Sequence, residues 1–176
     1  MRGGHVLAVV ALVWSAACGQ AGGTEVPVNA DDVMFVQMMV QHHRQGIEMA
    51  GIGASRAEDL EVRTLASAIA STEQDEVEMM LRWLRAWDQP LTAPTGAHDH
   101  HGGMPETDVK RIQELRASDD LDYDLLSLLI DHQDGAVRMA ADVVTRGANP
   151  EVQRWAAQVQ TSRRAQIAMM TDLVRR

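Results

Sequence analysis

From residue 31 onward, apolar side chains recur every three or four positions, the period of an amphipathic helix, and almost nowhere alternate as a half-buried strand requires. Phe35, Met39, His42, Gly46 and Met49 share one stripe, and Asp31 or Asp32 is placed to cap a helix running to about Ala54. A second helix is predicted from near Asp59, with Val62, Leu65, Ile69, Glu73, Glu76, Met80, Trp83 and Trp87 down one side. Leu125, Leu129, His132, Ala136, Met139 and Val143 form a third stripe. Gly147 ends it, Asn149 caps the next helix and Pro150 takes its first position. Val152, Trp155, Val159, Gln166, Met169 and Leu173 mark that fourth helix. A shorter one is predicted within residues 108–118, and "DQPLTAPTGAHDHHGGMPET", rich in Pro, Gly and His, reads as a crossover loop.

The stripes are related. Shifted by 90 positions without a gap, "MMVQHHRQGIEMA" lies over "LLIDHQDGAVRMA", so that His42 meets His132 and Met49 meets Met139. The register persists: Arg56 meets Arg146, Glu61 and Val62 meet Glu151 and Val152, Ala66 meets Ala156, and Met79-Met80 meets Met169-Met170. One register held this far indicates a duplicated unit of about 55 residues. Each unit reads as a helical hairpin, and two hairpins give an all-α four-helix bundle with an approximate internal two-fold.

Residues 1–17 read as an export signal, with one Arg followed by an apolar run from Val6 to Trp14 that is too short to span a bilayer. "SAAC" resembles a lipobox in which Cys18 is lipidated, although Ser15 stands where leucine is usual. Plain secretion, with cleavage after Ala17 or Ala21, is the alternative, and both place the domain at 31–176 outside the cytoplasm after a linker at 18–30. The only membrane contact expected is a lipid anchor. A single cysteine excludes an internal disulfide, leaving packing or a bound ion to stabilise the fold.

Composition narrows the chemistry. A net charge of −9 disfavours nucleic acid as a partner and favours cations. Eleven Met against one Phe and one Tyr make methionine an unusually large part of the core material. Antiparallel geometry within the first hairpin gathers Met38, His42, Glu73, Glu76 and Met80 on one inner surface. Buried carboxylates cost several kcal/mol unless a positive group meets them. Protonated His42 or His43, Arg163 across the core, or a metal ion would each serve. His42 and His43 project about 100° apart, so His42 is the better inner candidate and His43 flanks it. Thioether favours Cu(I) and imidazole suits Cu(II), so the pairing of these donors outside the cytosol selects copper. His98, Asp99, His100, His101 and Met104 in the loop form a candidate auxiliary site for Cu(II).

With His42, His43, Ile47, Met49 and Ala50 in the pattern His-His-x-x-x-Ile-x-Met-Ala, with the paired methionines, and with the duplicated hairpin, the chain resembles the domain of unknown function 305 family over about residues 30 to 175. The resemblance implies a secreted or lipid-anchored, ferritin-like four-helix bundle, made of two duplicated hairpins joined by the His-rich loop, and relatives that bind copper in the periplasm. It also implies copper ligands at Met38, Met39, His42, His43, Met49, Met79 and Met80, with His132, Met139, Met169 and Met170 matching in the second unit. That unit departs in carrying Gln133 opposite His43, and Ser127, Leu128 and Leu129 where methionines are wanted.

Three functions follow as expectations. The leading one is extracytoplasmic copper binding for sequestration, tolerance or transfer to an exchange partner protein, without enzymatic turnover. The second is an exported helical adaptor whose methionines are core and whose histidines are hydrogen-bonded. The third, a di-iron oxidase, needs a glutamate from each of two helices and Glu-x-x-His from the other two. Arg163 and Gln166 on the fourth helix cannot complete that cage. Nucleophile-elbow, phosphate-loop and HExxH signatures are absent.

Overall fold

The computed structural model describes residues 26–92 and 109–176. The export signal, Cys18, and His98, His100, His101 and Met104 lie outside the described residues. The helices are α1 (Ala30–Arg56), α2 (Leu60–Ala86), α3 (Val109–Arg116), α4 (Leu121–Arg146) and α5 (Pro150–Val174). No strand occurs among the described residues.

Helix starts follow local side-chain chemistry. Asn29, rather than Asp31 or Asp32, is the N-cap of α1: its side chain accepts from Asp32 N, and the Asp32 carboxylate accepts in return from Asn29 N, closing a capping box. Asp59 caps α2 by accepting from Glu61 N and Val62 N, and Asn149 caps α5 with Pro150 behind it, as the sequence pattern predicts.

The two hairpins, α1 with α2 and α4 with α5, meet through α1 and α4, and α3 lies against α4 and α1. This is the four-helix bundle expected from the repeat. A pair of repeat-related aspartates joins its halves. Asp32 Oδ2 accepts from Ala148 N and Asn149 N, both at 3.0 Å, in the turn of the second hairpin. Asp122, 90 positions later, accepts from Glu58 N at 3.0 Å and Asp59 N at 2.7 Å, in the turn of the first. The four amides are themselves repeat mates, so each hairpin clamps the other through corresponding carboxylates and amides, with Asp32 using one oxygen and Asp122 both, and the approximate two-fold is built into the hydrogen bonding.

Apolar packing divides into two clusters. Phe35, Met38, Met39, Val77, Met80, Leu84, Met139, Trp155 and Val159 belong to one. Met49, Ile69, Leu125, Leu129 and Met170 belong to the other, together with Ile112 and Leu115 of α3. Along each long helix the residues between the clusters are polar: His42 and His43, Glu73 and Glu76, His132 and Gln133, and Arg163. No helix among the described residues is long and apolar enough to cross a membrane.

Candidate metal centre

The polar layer is assembled by the helical period. His42 and Gly46 lie one turn apart on the buried side of α1, and His132 and Ala136 repeat that placement on α4. The His42 and His132 rings stack across the α1–α4 interface with centroids 3.8 Å apart and planes inclined by 16°. Gly46 makes this approach possible. A Cβ there would overlap Glu73 Oε2 and lie 2.6 Å from His132 Nε2, so any side chain would displace the layer.

Hydrogen bonds and charge organise the rest. His43 Nε2 lies 2.7 Å from Glu76 Oε2, and the Arg163 guanidinium donates to the same oxygen. Arg163 Nη2 is 3.8 Å from Glu73 Oε1, an oxygen that accepts from Gln133 Nε2 at 3.0 Å. The buried carboxylates are therefore met by an arginine and a histidine, one of the options left open by the sequence.

Burial sets the protonation states. Loss of water holds His42 well below the ordinary imidazole value, with the charges of His132, His43 and Arg163 adding to the effect. A marginal contact with the His132 backbone, too poorly placed to count as a hydrogen bond, works in the opposite direction. His132 is pushed down to about 3, first by burial and then by His43 and Arg163. Burial raises Glu73 above the usual carboxylate range against the pull of His43, Arg163 and Gln133. At Glu76 burial acts in the same direction, but the His43 hydrogen bond and the Arg163 charge outweigh it, and its pKa is lowered.

Two neutral imidazoles thus stack in the middle of the bundle, and neither ring nitrogen of His42 has a hydrogen-bond partner. A fully buried, neutral nitrogen donor without a partner is unusual, because an unsatisfied polar group of this kind costs about 1–3 kcal/mol. Its helical neighbours are thioethers. Met38 and Met39 precede His42 by four and three residues, the spacings that share a face. This donor set fits a soft ion. For a harder ion the fit is absent as the side chains stand: among the described residues no group of three or more His, Cys, Asp or Glu is arranged to hold a metal.

Of the residues singled out in the sequence, the structure brings His42, His43, Glu73, Glu76 and His132 into one layer. It divides the methionines. Met38, Met39, Met80 and Met139 pack in the first cluster with Met79 half-buried against it, whereas Met49 and Met170 belong to the second. Met169 is 55% exposed on the outer side of α5. Gln133, weighed in the sequence only as a departure from His43, is the side chain that holds Glu73. The 90-position offset carried the missing signal, since it aligns Glu73 with Arg163 and Glu76 with Gln166.

The family model described as Domain of unknown function (DUF305) matches residues 32–174. The chain belongs to the DUF305 family. Among solved DUF305 structures it is similar to a putative secreted protein from Streptomyces coelicolor, at 31% identity and a TM-score of 0.77 over 81% of this chain and 91% of the other. A fragment from Deinococcus radiodurans is 29% identical, with a TM-score of 0.74 over 84% of this chain and 97% of that one. CopM in its Cu(I)-bound form shares 26% identity and a TM-score of 0.70, covering 82% of this chain and 95% of CopM, and CopM is also solved with Cu(II) and with Ag. No curated protein matches the chain.

Proposed function

We propose that this DUF305 protein binds copper outside the cytoplasm and sequesters it or hands it to a partner protein, without catalytic turnover. The observation that carries the reading is His42: fully buried, held neutral, lacking any hydrogen-bond partner, and one helical turn from two thioethers. Neutral imidazole with thioether suits Cu(I), and silver, as a soft monovalent ion, is its natural substitute. The likeness to CopM, which has been solved with copper and with silver, supports the same ion class. Likeness to a secreted relative supports the export reading, in which the signal at 1–17 is removed and Cys18 carries a lipid. In this reading His98, His100, His101 and Met104 form a weaker, exchangeable Cu(II) site in the loop.

A competition titration of the purified protein against a chromophoric cuprous chelator tests the proposal, with stoichiometric Cu(I) uptake as the expected result. His42→Ala should weaken binding by about tenfold or more, the equivalent of one lost ligand worth roughly 1.4 kcal/mol. Met38→Leu and Met39→Leu keep core volume, so they should lower affinity while helicity is retained. Met49→Leu, in the other cluster, shows whether that methionine donates as the family likeness implies. Absence of Cu(I) uptake by the folded wild-type protein would sink the reading.

The internal pairing of Glu73 and Glu76 with Arg163 and His43 favours a second reading, a helical adaptor whose polar layer only fixes how the hairpins meet. It predicts a folded protein with no stoichiometric copper.

A further inference from the structure

The duplicated sequence makes the buried layer comparable with itself. His42 keeps its type in His132, but His43 is matched by Gln133, Glu73 by Arg163 and Glu76 by Gln166. The first hairpin therefore brings two imidazoles and two carboxylates to the centre, and the second brings one imidazole, two amides and a guanidinium. Two copies of the first set would be a carboxylate and imidazole cage, the donor type that holds divalent metals in helical bundles. The second hairpin supplies a fixed positive charge instead.

Arg163 is well placed to act in that role. It is fully buried, donates to Glu76 Oε2, lies 3.8 Å from Glu73 Oε1, and has its other terminal nitrogen 3.4 Å from Gln166 Oε1. The guanidinium offsets one of the two carboxylate charges and His43 shares Glu76 with it, so the layer already holds a cation where a metal ion would otherwise sit. Glu73 Oε2 nevertheless has no hydrogen-bond partner, and it faces the notch left by Gly46, with His132 Nε2 4.0 Å away. Imidazole and carboxylate donors for a divalent ion are thus present in the layer, but as the side chains stand, with Arg163 engaging Glu73 and Glu76, no three of them among the described residues are arranged around one ion.

We propose that Arg163 is the resident cation of the buried layer and determines its metal specificity: by engaging Glu73 and Glu76 it removes the carboxylates from the donor set and refuses divalent ions. What remains available is neutral imidazole and thioether, which suits a monovalent soft ion. For that last step the inference rests on the copper reading above, whereas the refusal of divalent ions can be measured separately. Removing the guanidinium leaves Glu73 its Gln133 hydrogen bond and Glu76 its contact with His43, but both lose the fixed positive charge beside them, a state costly enough that a divalent cation should take its place.

Cobalt(II) provides the probe, because its visible d–d absorption changes in strength and position on passing from water to a low-coordinate protein site. Every protein in the experiment carries His98→Ser, His100→Ser and His101→Ser, so that the loop does not contribute. The background protein with Arg163 intact is expected to show no such band. Arg163→Met, which replaces the guanidinium by a neutral side chain, should take up about one equivalent of Co(II) with a low-coordinate spectrum. Adding Glu73→Gln and Glu76→Gln to Arg163→Met should abolish the band. Arg163→Lys, which keeps a cation, should stay close to the background protein. If Arg163→Met loses helicity without metal, Co(II) should restore it, because an ion that binds only the folded state stabilises that state.

The proposal is overturned if Arg163→Met shows no Co(II) band, if it stays unfolded when Co(II) is added, or if the background protein already takes up Co(II) in a low-coordinate site. A band that survives Glu73→Gln and Glu76→Gln, or one that Arg163→Lys gains as fully as Arg163→Met, overturns it as well. Ag(I) titration of the background protein separates this result from the copper reading. No Ag(I) uptake together with a Co(II) gain in Arg163→Met would defeat the copper reading and leave the role of Arg163 standing. Ag(I) uptake without that gain would do the reverse.

Discussion

Two glycines of α1, five residues apart, have opposite consequences for substitution. Gly51 is exposed, and a Cβ there meets nothing within 4 Å, so Gly51→Ala should gain helix propensity and raise stability by roughly 0.5–1 kcal/mol in chemical denaturation. Gly46 faces the buried carboxylate of Glu73 and the ring of His132, both held in place by the layer. Gly46→Ala should therefore lower stability by about 1–3 kcal/mol in the same assay, because overpacking outweighs the propensity gain. An equal rise in both variants would show that the layer is loose enough to yield. The stripe containing Gly46 is legible from the helical period, but its reason for being glycine is not. That reason lies in Glu73, from α2, and His132, from α4, and their convergence is decided by how the helices cross.

At the scale of elements, the helices are legible because each rests on local chemistry. Asn149-Pro150, Asp59 and Gly147 are sufficient to place three boundaries. Asp32 shows where local reading stops. Its position early in α1 suggests a cap, and it does complete the capping box of Asn29, but the same oxygen also accepts from two amides of the α4–α5 turn. Asp122 repeats that contact on the α1–α2 turn. Replacing Asp32 by alanine leaves buried backbone donors without partners, at a cost of about 1–3 kcal/mol, or 2–4 °C in melting midpoint per kcal/mol for a domain of this size, whereas water can reach the exposed amides that Asp122 serves. Asp32→Ala should cost more than Asp122→Ala, because Asp32 is fully buried and Asp122 is not. Thermal melts monitored by circular dichroism check both. Equal losses would indicate that burial adds nothing to the clamp.

For the whole molecule, the buried layer couples stability to pH. In the unfolded chain His42 and His132 titrate near the ordinary 6.5, whereas in the fold His132 is pushed down to about 3 and His42 lies well below 6.5. The unfolded state thus binds more protons throughout that window, and stability falls as pH drops from about 6.5 towards 3, by up to roughly 1.4 kcal/mol per pH unit for each histidine. Glu76, lowered below 4.5, adds to the loss at the acid end. Glu73, raised above 4.5, works in the opposite direction as it takes up a proton in the fold. Two histidines against one carboxylate leave a net loss, so urea midpoints of the metal-free protein should fall between pH 7 and pH 5. Midpoints that stay level over that range would contradict the buried neutral imidazoles.

Four long helices, their pairing into hairpins, the repeat, the family and the supply of thioether and imidazole donors are all legible in the residues alone. These depend on periodicity, capping and donor chemistry, which act within a turn or two of chain. The tertiary structure alone decided that Met49 and Met170 pack in a different cluster from Met38, Met39 and Met80, and that Met169 faces solvent. It also brings Arg163 of α5 to Glu73 and Glu76 of α2. Those outcomes depend on which rotation about each helix axis buries the most apolar surface while meeting every charge, and four helices settle that jointly.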